Sequence, residues 1–113
     1  MPWIKDNSPD EEKISVKDYE KIKKQIEAYS TKKSWHNSHE LQLRFKGKFC
    51  YIDDLEKDGS VTPLGRLRYF GTNKWSIDFF TYSDERYKPC ALRNGSLIGS
   101  IEKCIDVCEI YLV

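Results

Sequence analysis

No stretch of this chain approaches the ~20 consecutive apolar residues that a membrane-spanning helix requires, and the opening MPWIKDNSPDEEK has none of the apolar core of a signal peptide. The expected compartment is therefore the cytosol, with no membrane partner. Charge of one sign is lacking too: 19 basic and 18 acidic residues leave a formal +1. That balance removes any global electrostatic pull toward nucleic acid or anionic membrane, so such a pull would have to be local. There is no glycine-rich phosphate loop and no pair of CxxC knuckles, and only 2 histidines are available as bases or metal ligands. Each absence removes a common route to catalysis or to a cofactor.

What is present is foldable. The 113 residues are enough for one domain that buries about two thirds of its unfolded surface without a disulfide staple. With 39% hydrophobic, 33% charged and 13% aromatic residues, the composition is polar but globular. In a cytosolic chain Cys50, Cys90, Cys104 and Cys108 are expected reduced and, for the most part, packed as small hydrophobes.

Residues 1–14 are polar, carry Pro2 and Pro9 and show no period, which reads as an extended or mobile arm that Trp3 and Ile4 are placed to pin down. Residues 15–113 read as a single α+β domain. Ser15 is placed to cap a first helix whose Val16, Tyr19, Ile22, Ile26 and Tyr29 recur at spacings of three and four, ending near Ser30. Lys17, Glu20, Lys21 and Lys24 occupy its solvated side. After a polar connection with one tryptophan, His39–Glu56 reads as a hairpin turning at Gly47-Lys48. Glycine at the first central position suits a type II′ turn that pairs Lys46 with Phe49, Phe45 with Cys50 and Leu43 with Ile52.

The strongest alternation and densest aromatic content lie in LGRLRYFGTNKWSIDFFTY, Leu64 to Tyr82. Read as two strands around Gly71-Thr72-Asn73, it pairs Tyr69 with Trp75, Leu67 with Ile77 and Arg66 with Asp78, with Asn73 in the left-handed position of the turn. RYKPCAL then gives a short fifth strand at an edge, where Pro89 is tolerated. Ser100 caps a last helix whose Ile101, Cys104, Ile105, Cys108 and Leu112 form one apolar stripe. The fold expected is α+β, an antiparallel meander of four to five strands flanked by an N-terminal and a C-terminal helix. The last helix packs on the face carrying Leu41, Leu43, Phe45, Ile52, Leu67, Tyr69, Trp75, Ile77 and Phe79, while the first either joins it or covers part of the other face.

Three chemistries fail on spacing. The loop DLEKDGSVT resembles the first half of a calcium-binding EF-hand loop at Asp54, Glu56, Asp58, Gly59 and Ser60, but the twelfth position, which must supply a bidentate carboxylate, is Gly65. His36, His39, Cys104 and Cys108 are of zinc-ligand type, yet the two cysteines sit one turn apart on an apolar stripe. Nucleophilic catalysis needs a thiol or hydroxyl beside an oriented base, and neither histidine has an obvious carboxylate partner in sequence. No metal, cofactor or catalytic residue is therefore assigned.

The remaining feature is the sheet face opposite the core, with Arg44, Lys46, Phe49, Tyr51, Arg66, Arg68, Phe80 and Tyr82 as candidate partner-binding residues and Phe70 among them. Tyrosine, phenylalanine and arginine are enriched in protein interfaces, whereas aromatics interleaved with arginine also suit single-stranded nucleic acid. Glu40, Asp53 and Asp78 fall on the same face, which favours protein over nucleic acid. The expectation is a non-catalytic binding or adaptor protein with a protein partner, or self-associating through this face or a free sheet edge. Single-stranded nucleic-acid binding and an enzyme site assembled from loops are the alternatives.

Overall fold

A computed structural model describes residues 13–112. The arm expected at the N-terminus thus lies, up to residue 12, outside the described residues. At its inner end Ile14 is buried and its N–H donates to Gly47 O at 2.9 Å.

The chain forms helix α1 (Val16–Ser30), strands β1 (Glu40–Lys46), β2 (Phe49–Leu55), β3 (Val61–Gly71), β4 (Lys74–Thr81) and β5 (Arg86–Cys90), and helix α2 (Ile101–Cys108). The five strands make one antiparallel sheet in chain order. This is the α+β meander between two helices that the periodicity implies. No described helix is long and apolar enough to cross a membrane.

Both tight hairpins keep the register set by their turns. Lys46 pairs with Phe49 and Leu43 with Ile52 around Gly47, at φ 60°. Tyr69 pairs with Trp75, Leu67 with Ile77 and Arg66 with Asp78, and Asn73 has φ 58°. The second loop differs in detail: Gly71 pairs with Lys74, so only Thr72 and Asn73 are unpaired, and an irregularity after Tyr69 absorbs the extra residue. A second irregularity falls where Ile52 faces Gly65 and Asp53 faces Pro63, leaving Leu64 as the additional residue of a bulge. Leu64 is 1% exposed and belongs to the core.

Both helices pack on one face of the sheet. On α1, Tyr19 stacks on Phe45 with ring centroids 4.1 Å apart, and Ile22 and Ile26 are buried in the core. On α2, Ile101, Cys104, Ile105 and Cys108 are fully buried, and just beyond it Tyr111 stacks on Phe79 at 4.6 Å. The apolar stripe continues to Leu112 through a 3-10 turn at Glu109–Tyr111, so the α-helix is shorter than the stripe. At the other end of the pattern Val16 is 75% exposed, so the buried stripe of α1 does not extend to its first residue.

The two helices are joined to each other by polar contacts. Gln25 meets Glu102 at 3.1 Å and the Tyr29 hydroxyl donates to Asp106 at 2.6 Å. The connection after α1 forms a short 3-10 helix, Ser34–Asn37, that buries Trp35. All four cysteines are free, and Cys50, Cys104 and Cys108 are buried. Burial pushes each of those three thiols up to about 12. A thiol held that high carries almost no thiolate at neutral pH and is a poor nucleophile.

Candidate functional site

With both helices on one side, the opposite face of the sheet is left to its own side chains. The register sets them out in rows. Lys46, Phe49, Arg68 and Ser76 lie side by side across β1 to β4. The next row is Arg44, Tyr51, Arg66, Asp78 and Pro89. Phe80 pairs with Tyr87 on β5.

Within this lattice each arginine covers a ring. Arg44 lies 4.8 Å from the Tyr51 centroid, Arg66 lies 4.4 Å from Phe49 and 5.2 Å from Tyr87, and Arg68 lies 4.9 Å from Phe70. A guanidinium over a ring face is attracted by the ring quadrupole and shields apolar area at the same time. Tyr51 and Phe80 both meet Tyr87 edge-on, at 5.4 and 5.0 Å.

Two of the three arginines are neutralised. Arg44 Nε donates to Asp53 at 2.8 Å, where the carboxylate is only 2% exposed, and Arg66 Nε donates to Asp78 at 2.7 Å. The bond to Asp53 holds the Arg44 pKa above its ordinary value. For Arg66, burial opposes the charge, and the contacts to Asp78 and Tyr51 together still hold its pKa above the ordinary value. Burial likewise raises the phenol of Tyr87, with the Asp53 charge adding to it.

Arg68 is different. Among the described residues it has no carboxylate partner, and its Nε is buried with no hydrogen-bond partner. It sits at an end of the sheet where the sequence carries no acid, since residues 41–52 and 59–77 contain neither Asp nor Glu. Lys46, Lys48 and Lys74 share that end, and Phe70 beside Arg68 is 40% exposed. The face is thus polarised, with a cationic end at the hairpin tips and an acidic end around Glu40, Asp53 and Glu56.

All eight expected residues are in β1 to β4 or at their ends. Seven of them share the open face, while Tyr82 sits at its margin, 5.3 Å from Tyr111 and donating its hydroxyl to Pro63 O. Tyr87 was not among the expected residues, yet it joins Tyr51, Arg66 and Phe80. Its position depends on the turn between β4 and β5, where Glu85 adopts φ 54°. Glutamate carries no signal for that conformation.

A cleft of about 740 Å³ opens elsewhere, between α1 and β1, lined in part by Ile26, Ser30, His39, Leu41 and Leu43. His39 does have a carboxylate: its Nδ1 lies 2.8 Å from Asp54 Oδ2, and Asp54 is 4% exposed. The pair joins residues 15 apart and was not visible in the sequence. Ser30 Oγ is buried without a hydrogen-bond partner among the described residues, so no hydroxyl-to-base contact completes a nucleophile. The acidic loop is likewise committed locally. Asp58 accepts from Ser60 N and Oγ, and Glu56 accepts from the Thr62 hydroxyl, while Asp54 is turned to His39. Cys104 and Cys108 face the core, away from either histidine's loop.

The open face is thus an extended surface of aromatic and charged side chains. Comparison with protein-family models, with curated proteins and with solved structures gave no match, and the functional reading rests on the geometry of the face itself.

Proposed function

We propose that this chain acts by binding, and that its open sheet face receives a protein partner, with an acidic segment of that partner lying on the end formed by Lys46, Phe49, Arg68 and Phe70. The observation that carries this reading is Arg68. Its guanidinium has no carboxylate partner among the described residues, and it stands beside an exposed aromatic on a face that neither helix covers. A carboxylate from a partner supplies the counter-charge that Arg68 lacks, and Phe70 and Phe49 supply apolar area. Arg44 and Arg66 are spent on Asp53 and Asp78 and shape the surface instead of offering charge.

The test is recovery of cross-linked partners from the native source with the wild-type chain and with Arg68→Glu and Phe70→Ala. Both positions lie outside the core, so the variants should keep their melting temperature. Loss of Phe70 should weaken a specific partner by about tenfold or more, in the range of a hot-spot residue. A partner retained equally by all three proteins would remove this face as the site.

Single-stranded nucleic acid is the second reading, favoured by the same pairing of Arg68 with Phe70. A single-stranded oligonucleotide that binds at low salt and is lost steeply as salt rises would replace the protein reading with this one.

A further inference from the structure

The two free edges of the sheet are unlike. β5 has five residues, and Pro89 within it removes a backbone donor, a common way to blunt an edge. β1 has seven residues, no proline and no irregularity in its pairing with β2. A two-residue turn closes on a hydrogen-bonded pair, here Lys46 and Phe49, so Lys46, Arg44, Gln42 and Glu40 direct their backbone groups at β2. Leu41, Leu43 and Phe45 direct theirs outward, and no backbone hydrogen bond to another described element uses them. The half-buried side chains of Leu41 and Leu43 border the cleft beside α1, and Phe45 stacks on Tyr19.

The strand ELQLRFK is complementary to itself when reversed. Laid antiparallel to a second copy about Leu43, it sets Glu40 opposite Lys46, Leu41 opposite Phe45, Gln42 opposite Arg44 and Leu43 opposite Leu43. The outward backbone groups of Leu41, Leu43 and Phe45 then meet their counterparts in about six hydrogen bonds. Centring the pair on Arg44 instead would oppose two arginines, and centring it on Gln42 would leave Phe45 without a partner within the strand.

We infer that the chain forms a two-fold homodimer by antiparallel pairing of β1 with β1 of a second copy, joining the two sheets into one. The occupant of this edge is a second copy because both the charges and the apolar residues of the strand match their own reverse. The partner's Leu41 and Leu43 enter the cleft between α1 and β1, which has room for them. The contact is isologous, as a two-fold interface must be. It is built on the backbone of the strand edge, and although Arg44 and Lys46 also belong to the face discussed above, its test reads self-association and not capture of a partner. It also sets the cationic end of one face beside the acidic end of the other.

The experiment is the solution mass of the full chain by sedimentation equilibrium, for wild type, Lys46→Glu, Glu40→Lys and the double exchange. Both residues are exposed, so the variants should retain the wild-type fold, checked by melting temperature. Twice the chain mass is expected for wild type. Each single reversal sets like charges opposite at two symmetric places and should weaken the dimer about tenfold, given the energy of cross-strand charge pairs. The double exchange should restore it. A monomer at every concentration would overturn the inference. So would a dimer that ignores the single reversals, or one that the double exchange leaves as weak as they do.

Discussion

Trp35 and Glu109 are 74 residues apart in the chain, and the indole Nε1 of the first donates to the carboxylate of the second at 2.9 Å. Lys33 and Arg93 reach the same carboxylate, each at 3.2 Å. One side chain beyond α2 therefore fixes the connection that follows α1.

Replacing that acceptor should be felt in stability. Glu109→Ala leaves the N–H of a tryptophan that is 3% exposed without an acceptor, at an expected cost of about 1–3 kcal/mol. Glu109→Gln keeps an acceptor oxygen and should recover part of it. Urea denaturation of the three proteins reads the difference, and an alanine variant as stable as wild type would mean that water replaces the bond freely.

The same cluster should give the fold an alkaline limit. Lys33 is held above its ordinary value of 10.5, first by its hydrogen bond with Tyr29 and then by Asp106, and burial followed by Asp106 raises Tyr29 above 10.0. A lysine whose folded pKa is raised contributes stability that is full below its unfolded value and is lost as pH rises through the folded one. The neutral phenol of Tyr29 is lost in the same direction. The melting temperature should hold at neutral pH and fall above about 10. Lys33→Met should melt lower at neutral pH and converge on wild type at high pH. Two curves that stay parallel across that range would show that the lysine does not contribute to the seam through its charge.

At Gly65 the sheet has no room for a side chain. A Cβ there would lie 2.8 Å from the backbone oxygen of Asp78, 3.1 Å from Ile77 Cδ1 and 3.6 Å from Cys108 Sγ. The first of these atoms belongs to the sheet ladder and cannot swing aside. Gly65→Ala should cost about 1–3 kcal/mol, the usual penalty of overpacking. At Gly99 the nearest atom is the Leu92 Cδ1, which belongs to a side chain able to turn, so Gly99→Ala should cost less. Denaturation midpoints compare them, and the opposite order would mean that the strands part more readily than the Leu92 side chain turns.

Sequence reading reached the elements whose signals are local. Gly47 and Asn73 each announce a backbone conformation that few residues adopt, and two hairpin registers follow from them. The stripe from Ile101 to Leu112 is buried as its spacing implies. Strict alternation fails at Leu64: the bulge turns this leucine into the core and leaves Val61 45% exposed, and no residue type in that segment signals a bulge. Trp35 sits in a polar stretch, and the acceptor of its indole, Glu109, lies far along the chain. His39 and Asp54, and Tyr87 with its neighbours, meet through strand pairing and turn geometry that composition does not encode. The arginine-aromatic face was legible because period two sorts its residues, whereas the bonds that neutralise Arg44 and Arg66 while sparing Arg68 needed the register.

The seam between α1 and α2 also orders assembly during synthesis. The meander pairs only neighbouring strands, so each hairpin has its partner as soon as the next strand leaves the ribosome, with little loop entropy to overcome. Gln25, Tyr29, Lys33 and Trp35 must wait for Glu102, Asp106 and Glu109. Until then the apolar faces of α1 and the sheet lack the cover of α2, and exposed apolar surface of this kind makes a folding intermediate prone to aggregate. The strands need only their neighbours in sequence, whereas the clasp needs residues 102–109 as well.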